Sequence, residues 1–298
     1  MADMSYKLFD LVVREGNLSK AAEVAHLSPS AVSHSLKNLE KTLGVQLFFR
    51  SRDGVQLTES GRQLLPYIRA AISSEDKLEE AAFQVASIKK TECTIGVFAS
   101  VGIVWISDII RRMKEKYPEL RIRVIEGYYQ VLEDSLLGTM LDAAFLSLPV
   151  NPKLQFTELY QDRLLCVAPK DLKTKDPHFI SIDELRKLPI IMQGRGNTRD
   201  TDRFLKEHDL MGDFSHMVWH DTMLVRLIES GLGVAIMPEL ILESIEGEYR
   251  AIPIEDAPYR TIGIATNSGQ RKGSTKMLVR ETEDYLRERY PLDLPYFR

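Results

Sequence analysis

The sequence predicts a multi-domain protein: an all-α winged helix-turn-helix head, a long linker helix, and a two-lobed α/β domain. Three observations carry that expectation. Short helical patterns fill residues 6–44 and lead into a basic hairpin, a single helical pattern follows from about residue 59, and strand-like and helix-like segments alternate beyond residue 91. Such alternation implies mainly parallel sheets covered by helices. The expected boundaries are 1–58 for the head, with the helix-turn-helix at about 18–37, 59–90 for the linker helix and 91–298 for the α/β body. The body divides into lobe 1 (91–161 and 267–298) and lobe 2 (162–266).

In the head, Leu8, Phe9, Val12 and Val13 recur at helical spacing and the pattern stops at Gly16-Asn17. Ser19 is placed to cap a second helix whose Ala21 and Ala22 allow a close helix crossing, and Ser28 caps a third with Pro29 at its first position. Gly44 closes that third helix as a left-handed residue. Along it, Val32, Leu36, Leu39 and Leu43 form one apolar stripe, while Ser30, Ser33, His34 and Lys37 share a different face. Short hydrogen-bonding groups with a cation behind them suit a DNA major groove, where acidic or bulky groups would meet the phosphates. The same face would also serve as a plain wetted surface. The segment 45–58 reads as strand, turn and strand, with Asp53-Gly54 as the turn and Arg50 and Arg52 at its tip to meet the phosphate backbone.

Thr58 caps the linker helix, with Glu59 in its first turn and Pro66 bending it near the start. Leu64, Ile68, Ala71, Glu75, Leu78, Ala82 and Val85 alternate by four and three residues, a dimerising seam with one polar interruption. A helix of that pattern could instead lie on its own domain.

The body reads as strands at 93–98, 121–127, 141–148, 163–169, 188–193, 215–220 and 233–238, separated by helices. The strand YRTIGIATN and the final helix from Thr275 return to the first lobe. Ligands of such sheets sit beyond the carboxyl ends of strands, against helix N-termini. Three segments qualify: Ser100 with the backbone of Val101 and Gly102, Ser147 at the end of another strand, and Arg195, Asn197 and Thr198 after a third. Each has a plainer role open to it, as a helix cap, a turn or a solvated cation. An inward Arg195 would favour an anionic effector, carrying carboxylate or phosphate.

Composition narrows the classes. A hydrophobic share of 44% and a charged share of 28% are those of an ordinary globular protein, and no apolar run is long enough to cross a bilayer. A net charge of −4 argues against coating nucleic acid with the whole surface, yet Lys and Arg outnumber Asp and Glu over residues 1–69, as a protein touching polyanion at one end requires. The N-terminus resembles no export signal, so a cytoplasmic location is expected. Cys93 and Cys166 read as buried small hydrophobes, and His216 and His220 lack the neighbours of a metal site. No cofactor is expected: there is no Walker loop or Gly-x-Ser-x-Gly elbow, and the third position of the fingerprint-like GRGNTR is Arg199, not glycine.

At the level of motifs, residues 11–61 resemble the head of the LysR-type transcriptional regulators. The match includes Gly16-x-x-x-x-Ala21-Ala22, the recognition helix Ser28-x-x-Ala31-Val32-Ser33, the exit LEKTLGVQLF and the linker start LTESG. Pro29-Ser30 and His34-Ser35 depart from the Gln-Pro and Arg-Gln of many members, which bears on base preference. The body is similar to that family's effector domain, with the fold of periplasmic solute-binding proteins. The resemblance implies a bacterial, nucleoid-associated regulator that binds double-stranded operator DNA, and a small-molecule effector in the cleft that shifts the lobes and the DNA heads. It also implies dimerisation through the linker helix into a dimer or tetramer, RNA polymerase as a partner if the output is activation, and no membrane partner. Two other readings stand beside it: a metabolite-transforming enzyme fused to a DNA-binding head, and a DNA-binding protein that needs no effector.

Overall fold

The computed structural model describes residues 4–25, 27–51, 54–86, 92–194, 199–211, 216–256, 258–267 and 273–290. The chain forms two compact units, Met1–Ile88 and Lys89–Arg298.

In the first unit, helices α1 (Met4–Glu15), α2 (Leu18–Val24) and α3 (Pro29–Leu43) precede a hairpin of β1 (Phe48–Ser51) and β2 (Gly54–Leu57), and α4 (Glu59–Ala86) follows. The apolar positions of three helices meet in one core of Leu8, Phe9, Val12, Ala21, Ala22, Val32, Leu36 and Leu39, joined by Leu47 and Phe48. Ala21 and Ala22 are fully enclosed, as a close crossing demands. Leu43 does not complete the stripe: at the last turn of α3 it is 36% exposed. The cap of α2 is Asn17, not Ser19; the Asn17 side chain accepts from the N–H groups of Ser19 and Lys20, because Asn17 holds the extended backbone that a cap needs.

The hairpin turn also differs from expectation. Ser51 pairs with Gly54, so the connection is residues 52–53, and Asp53 and Arg52 lie outside the described residues. Gly54 sits at φ +129°, and a Cβ there would come within 2.9 Å of the Gly16 carbonyl oxygen, which accepts from Val55 N–H. Gly54→Ala should therefore combine left-handed strain with a backbone collision and destabilise the head by about 1–3 kcal/mol. Helicity followed through thermal unfolding of the full chain checks this; an unshifted head transition would contradict it.

Helix α4 runs through Pro66 without ending there, and Thr58 Oγ1 accepts from Gly61 N–H at its start. The seam expected to face a second chain is partly consumed by the head. Ile68 lies in the head core, Leu64 and Ile72 pack against it, and Glu75 pairs with Lys7 at 3.1 Å. Asp10 of α1 binds both Arg14 (2.6 Å) and Arg69 of α4 (2.7 Å); although burial opposes its charge, the two guanidinium groups hold its carboxyl below the ordinary range. An amphipathic helix satisfies its apolar stripe on whichever surface is nearest, and here that is α1 for its first turns. Ala71 is half-buried and Leu78 is exposed, while Ala82 and Val85 lie further along the helix with side chains outside the described set.

The second unit is built on mixed sheets rather than mainly parallel ones. Strands β3 (Glu92–Val97), β4 (Arg121–Glu126) and β5 (Ala143–Ser147) run parallel. Strands β6 (Leu154–Pro169) and β11 (Tyr259–Asn267) join them antiparallel, giving the order β6-β11-β5-β3-β4. Helices α5 (Ala99–Val104), α6 (Ile106–Lys116), α7 (Tyr129–Leu137) and α12 (Gly273–Arg289) belong to this lobe. Because β11 pairs with β5 over Ile262–Ala265, the whole strand YRTIGIATN lies in lobe 1 and the expected 266/267 boundary falls inside it.

Strand β6 is longer than the expected 163–169 and passes from one lobe to the other. Leu154–Arg163 pair with β11, and Leu164–Pro169 pair with β9 (Ala235–Pro238) and β10 (Tyr249–Pro253). Its second half alternates between two cores: Leu164, Cys166 and Ala168 face one, Val167 the other. Burial pushes the Cys166 thiol up to about 12, consistent with an unreactive packing residue. Lobe 2 is completed by α8 (Ile182–Leu185), β7 (Met192–Gln193), α9 (Arg199–Glu207), β8 (Met217–Val218), α10 (Asp221–Glu229) and α11 (Glu239–Leu242).

Candidate functional site

Two sites emerge, one in each unit. In the head, Ser28 starts α3 by accepting from Ala31 N–H at 3.1 Å, Pro29 occupies the first turn, and the Ser28 and Ser30 hydroxyls lie 2.9 Å apart. Val32, Leu36 and Leu39 are buried, which turns Ser30, His34 and Lys37 outward; Ser33 is half-buried at the edge of the same face. Ser19, Ser28 and Pro29 are exposed. The side chain of Arg50, on β1, lies outside the described set, as does all of Arg52. A helix of 15 residues thus presents its N-terminal turn and one polar face, the arrangement a groove-reading helix needs.

In the body, a cleft of about 580 Å³ opens between the lobes. One wall comes from Phe98, Ser100, Ile103, Glu126 and Tyr128 of lobe 1. The facing wall comes from Gln193, Gly194, Trp219, His220 and Asp221 of lobe 2, with Ile241 and Ile245. Arg260 forms part of the surface. Gly194 is required by a close approach: a Cβ there would meet the Trp219 ring at 2.7 Å.

Behind the cleft lies a buried polar network. Arg260 and Asp162 stand opposite each other on β11 and β6, with Nε to Oδ2 at 2.8 Å, and both side chains are sealed from solvent. Arg260 also donates to Ser100 Oγ (2.7 Å) and to the Tyr129 hydroxyl (3.1 Å) and lies over the Phe98 ring. Asp162 accepts in addition from Leu240 N–H. Burial works against the Arg260 charge, but the surrounding acidic oxygens hold it firmly protonated; burial pushes the Asp162 carboxyl up while Arg260 and Leu240 N–H pull it down. Asp200 of lobe 2 receives the Ser147 hydroxyl at 3.0 Å and the Tyr129 hydroxyl at 3.3 Å, and burial raises its carboxyl too. Arg199 of lobe 2 reaches Glu133 of lobe 1 at 2.9 Å. The lobes are therefore stapled by charge-assisted bonds near the cleft.

The expected effector residues divide accordingly. Ser100 lines the cleft, and since it accepts from Arg260, its own proton remains for donation. Val101 is fully buried, and Gly102 N–H is spent on the Phe98 carbonyl, because α5 begins two residues earlier than a cap at Ser100 would place it. Ser147 is buried and directed to Asp200 instead of the cleft. Arg195, Asn197 and Thr198 lie outside the described residues, immediately after the cleft residue Gly194. Sequence reasoning missed the pair Arg260–Asp162: once β6 extends back to Leu154, alternation places Arg260 on the face of Ile262 and Ile264, and Asp162 on that of Tyr160 and Leu164, so two opposite charges point inward. The cleft residues Trp219 and Asp221 carried no such signal.

Comparison with known proteins assigns a family to each unit. Residues 5–62 match the family described as "Bacterial regulatory helix-turn-helix protein, lysR family", and residues 89–290 match "LysR substrate binding domain". The chain belongs to the LysR family. It is a LysR-type transcriptional regulator, a DNA-binding protein with an effector-binding domain. This LysR-family chain is 26% identical over 289 residues to a probable hydrogen peroxide-inducible genes activator of Mycobacterium leprae, covering 92% of this chain and 93% of that protein. It is 24% identical over 258 residues to the transcriptional activator CmpR of Synechocystis sp., covering 85% and 84% of the two chains. Among solved structures, full-length BenM shares the fold with a TM-score of 0.61 at 20% identity, covering 99% of this chain and all of that one. CbnR in complex with its target DNA does so with a TM-score of 0.55 at 17% identity, covering 95% and 99%. Among the described residues, no helix is long and apolar enough to cross a membrane.

Proposed function

We infer that this LysR-family regulator reads promoter DNA with the Ser30, Ser33, His34 and Lys37 face of α3, flanked by Ser19, Ser28 and Pro29. Arg50 and Arg52 of the hairpin contact phosphate beside the groove. A small molecule seated in the inter-lobe cleft, touching Ser100, alters that binding. The observation that carries the reading is the division of α3: its apolar stripe is spent on the head core, and its exposed face holds no carboxylate among Ser30, His34 and Lys37. Such a face can approach phosphates without repulsion.

Self-association follows from the same family membership. Two linked heads gain avidity of about two to four orders of magnitude over one. With Leu64 and Ile68 engaged in the head, the part of α4 left to meet a second chain lies beyond Ala71, from Leu78 towards Ala82 and Val85. The assembly is a dimer or a pair of dimers. The protein acts in the cytoplasm on the nucleoid, contacts RNA polymerase if it activates, and turns over no substrate; relatives named as regulators support this last point.

The test combines genome-wide occupancy mapping with a thermal-shift screen of small metabolites on the full-length protein. Discrete occupied promoters are expected, together with at least one metabolite that both raises the melting temperature and changes affinity for those promoters. Occupancy without preference for any site, or stabilising ligands that leave DNA affinity untouched, would count against the reading.

A further inference from the structure

We propose that the inter-lobe cleft takes a cationic ligand, a small organic amine with an apolar or aromatic body. This rests on the reading of the cleft as the effector site and assigns its chemical class. Glu126, at the end of β4, and Asp221, in the first turn of α10, reach the cleft from opposite lobes. Among the described residues, neither enters an ion pair. Asp221 accepts from Gln193 Nε2 at 2.6 Å and from its own backbone N–H, and an ionised carboxylate has capacity for more. Burial raises the Asp221 carboxyl, against the opposite pull of Gln193, Arg260 and its own backbone N–H. An ammonium group beside it would supply the missing counter-charge.

The lining offers an anion much less. Among the described residues its guanidinium is that of Arg260, and the nitrogens of Arg260 are committed to Asp162, Tyr129 and Ser100. An incoming carboxylate would meet the donors of Ser100, Thr222 and His220 but, among the described residues, no second guanidinium fork, and it would lie beside Glu126 and Asp221. The expectation of an anionic effector rested on Arg195, which lies outside the described residues. The rest of the wall suits an apolar cation. Trp219 and Tyr128 are 60% and 53% exposed, and Ile103 is 58% exposed, so aromatic faces and an aliphatic edge are open to a ligand. Aromatic faces attract ammonium groups, and the volume of about 580 Å³ is ample for such a molecule.

The experiment titrates the full-length protein with three probes of matched shape: 2-phenylethylamine, 2-phenylethanol and 3-phenylpropionate. The two tryptophans are Trp105, which is buried, and Trp219 in the cleft, so emission that changes in the native protein and not in Trp219→Phe reports binding at this site. The amine should bind about tenfold or more tightly than the alcohol or the acid. Asp221→Asn, which keeps the acceptor for Gln193, should erase that preference while leaving the alcohol unaffected and the melting temperature close to native. Tighter binding of the acid, improved further by Asp221→Asn, would overturn the charge assignment and leave the cleft as the effector site. Absence of a Trp219 response to all three probes would overturn both.

Discussion

Arg260→Met is expected to destabilise the second unit by about 3–5 kcal/mol, the largest effect of any single substitution considered. The side chain has 2% of its surface exposed and neutralises Asp162, which is fully buried. Removing it strands that carboxylate and takes the hydrogen bonds from Ser100 and Tyr129 at the same time. Both tryptophans lie within residues 89–298, so their fluorescence during denaturant unfolding isolates this unit from the DNA-binding head. The double substitution Asp162→Leu with Arg260→Met should recover most of the loss, since an apolar pair of similar volume replaces the buried ions without leaving either alone. A single variant as stable as the native protein would show that the pair contributes little.

His34→Glu should weaken operator binding on the order of 100-fold, about 3 kcal/mol, with the fold intact. The residue is exposed on α3, so the substitution disturbs no packing, and if this face enters the groove as proposed a carboxylate there would meet phosphates and base edges. Lys37→Ala should act differently, weakening binding to every sequence alike and lowering the salt slope by about one ion. Fluorescence anisotropy with promoter and scrambled duplexes over a range of salt separates the two. Equal affinity of His34→Glu and native protein for the promoter would remove α3 from the interface.

Local signals carried the head. Ser28, Pro29 and Gly44 mark the ends of α3 through capping chemistry that acts within a few residues, and the structure has all three in those roles. Asn17 was overlooked because Ser19 is as good a cap by type; only the backbone angle of residue 17 distinguishes them. The linker shows where periodicity stops being informative. A stripe at Leu64 and Ile68 buries equally well against a second chain or against α1, and the sequence contains no term that separates them.

In the body, buried strands with an apolar run such as β5 were plain, whereas the first half of β6, with Gln155, Thr157, Glu158 and Gln161, reads as loop because its stabilising partner is β11, about a hundred residues away. The cleft suffers from the same separation. Asp221 sits beside Gln193 only because β7, β8 and α10 fold together, a proximity that one-dimensional spacing does not encode.

Strand β6 has a mechanical consequence. It exchanges partners between Arg163, opposite Tyr259, and Leu164, opposite Pro238, with no break in the strand. The two halves of the ligand domain are thus threaded on one continuous ribbon instead of a slack tether. Any reorientation must twist that ribbon, which behaves as a torsion bar: small rotations are stored elastically and large ones would tear its ladder. A bound molecule that reoriented the lobes would work against the stiffness of this ribbon, which favours small rotations over large ones.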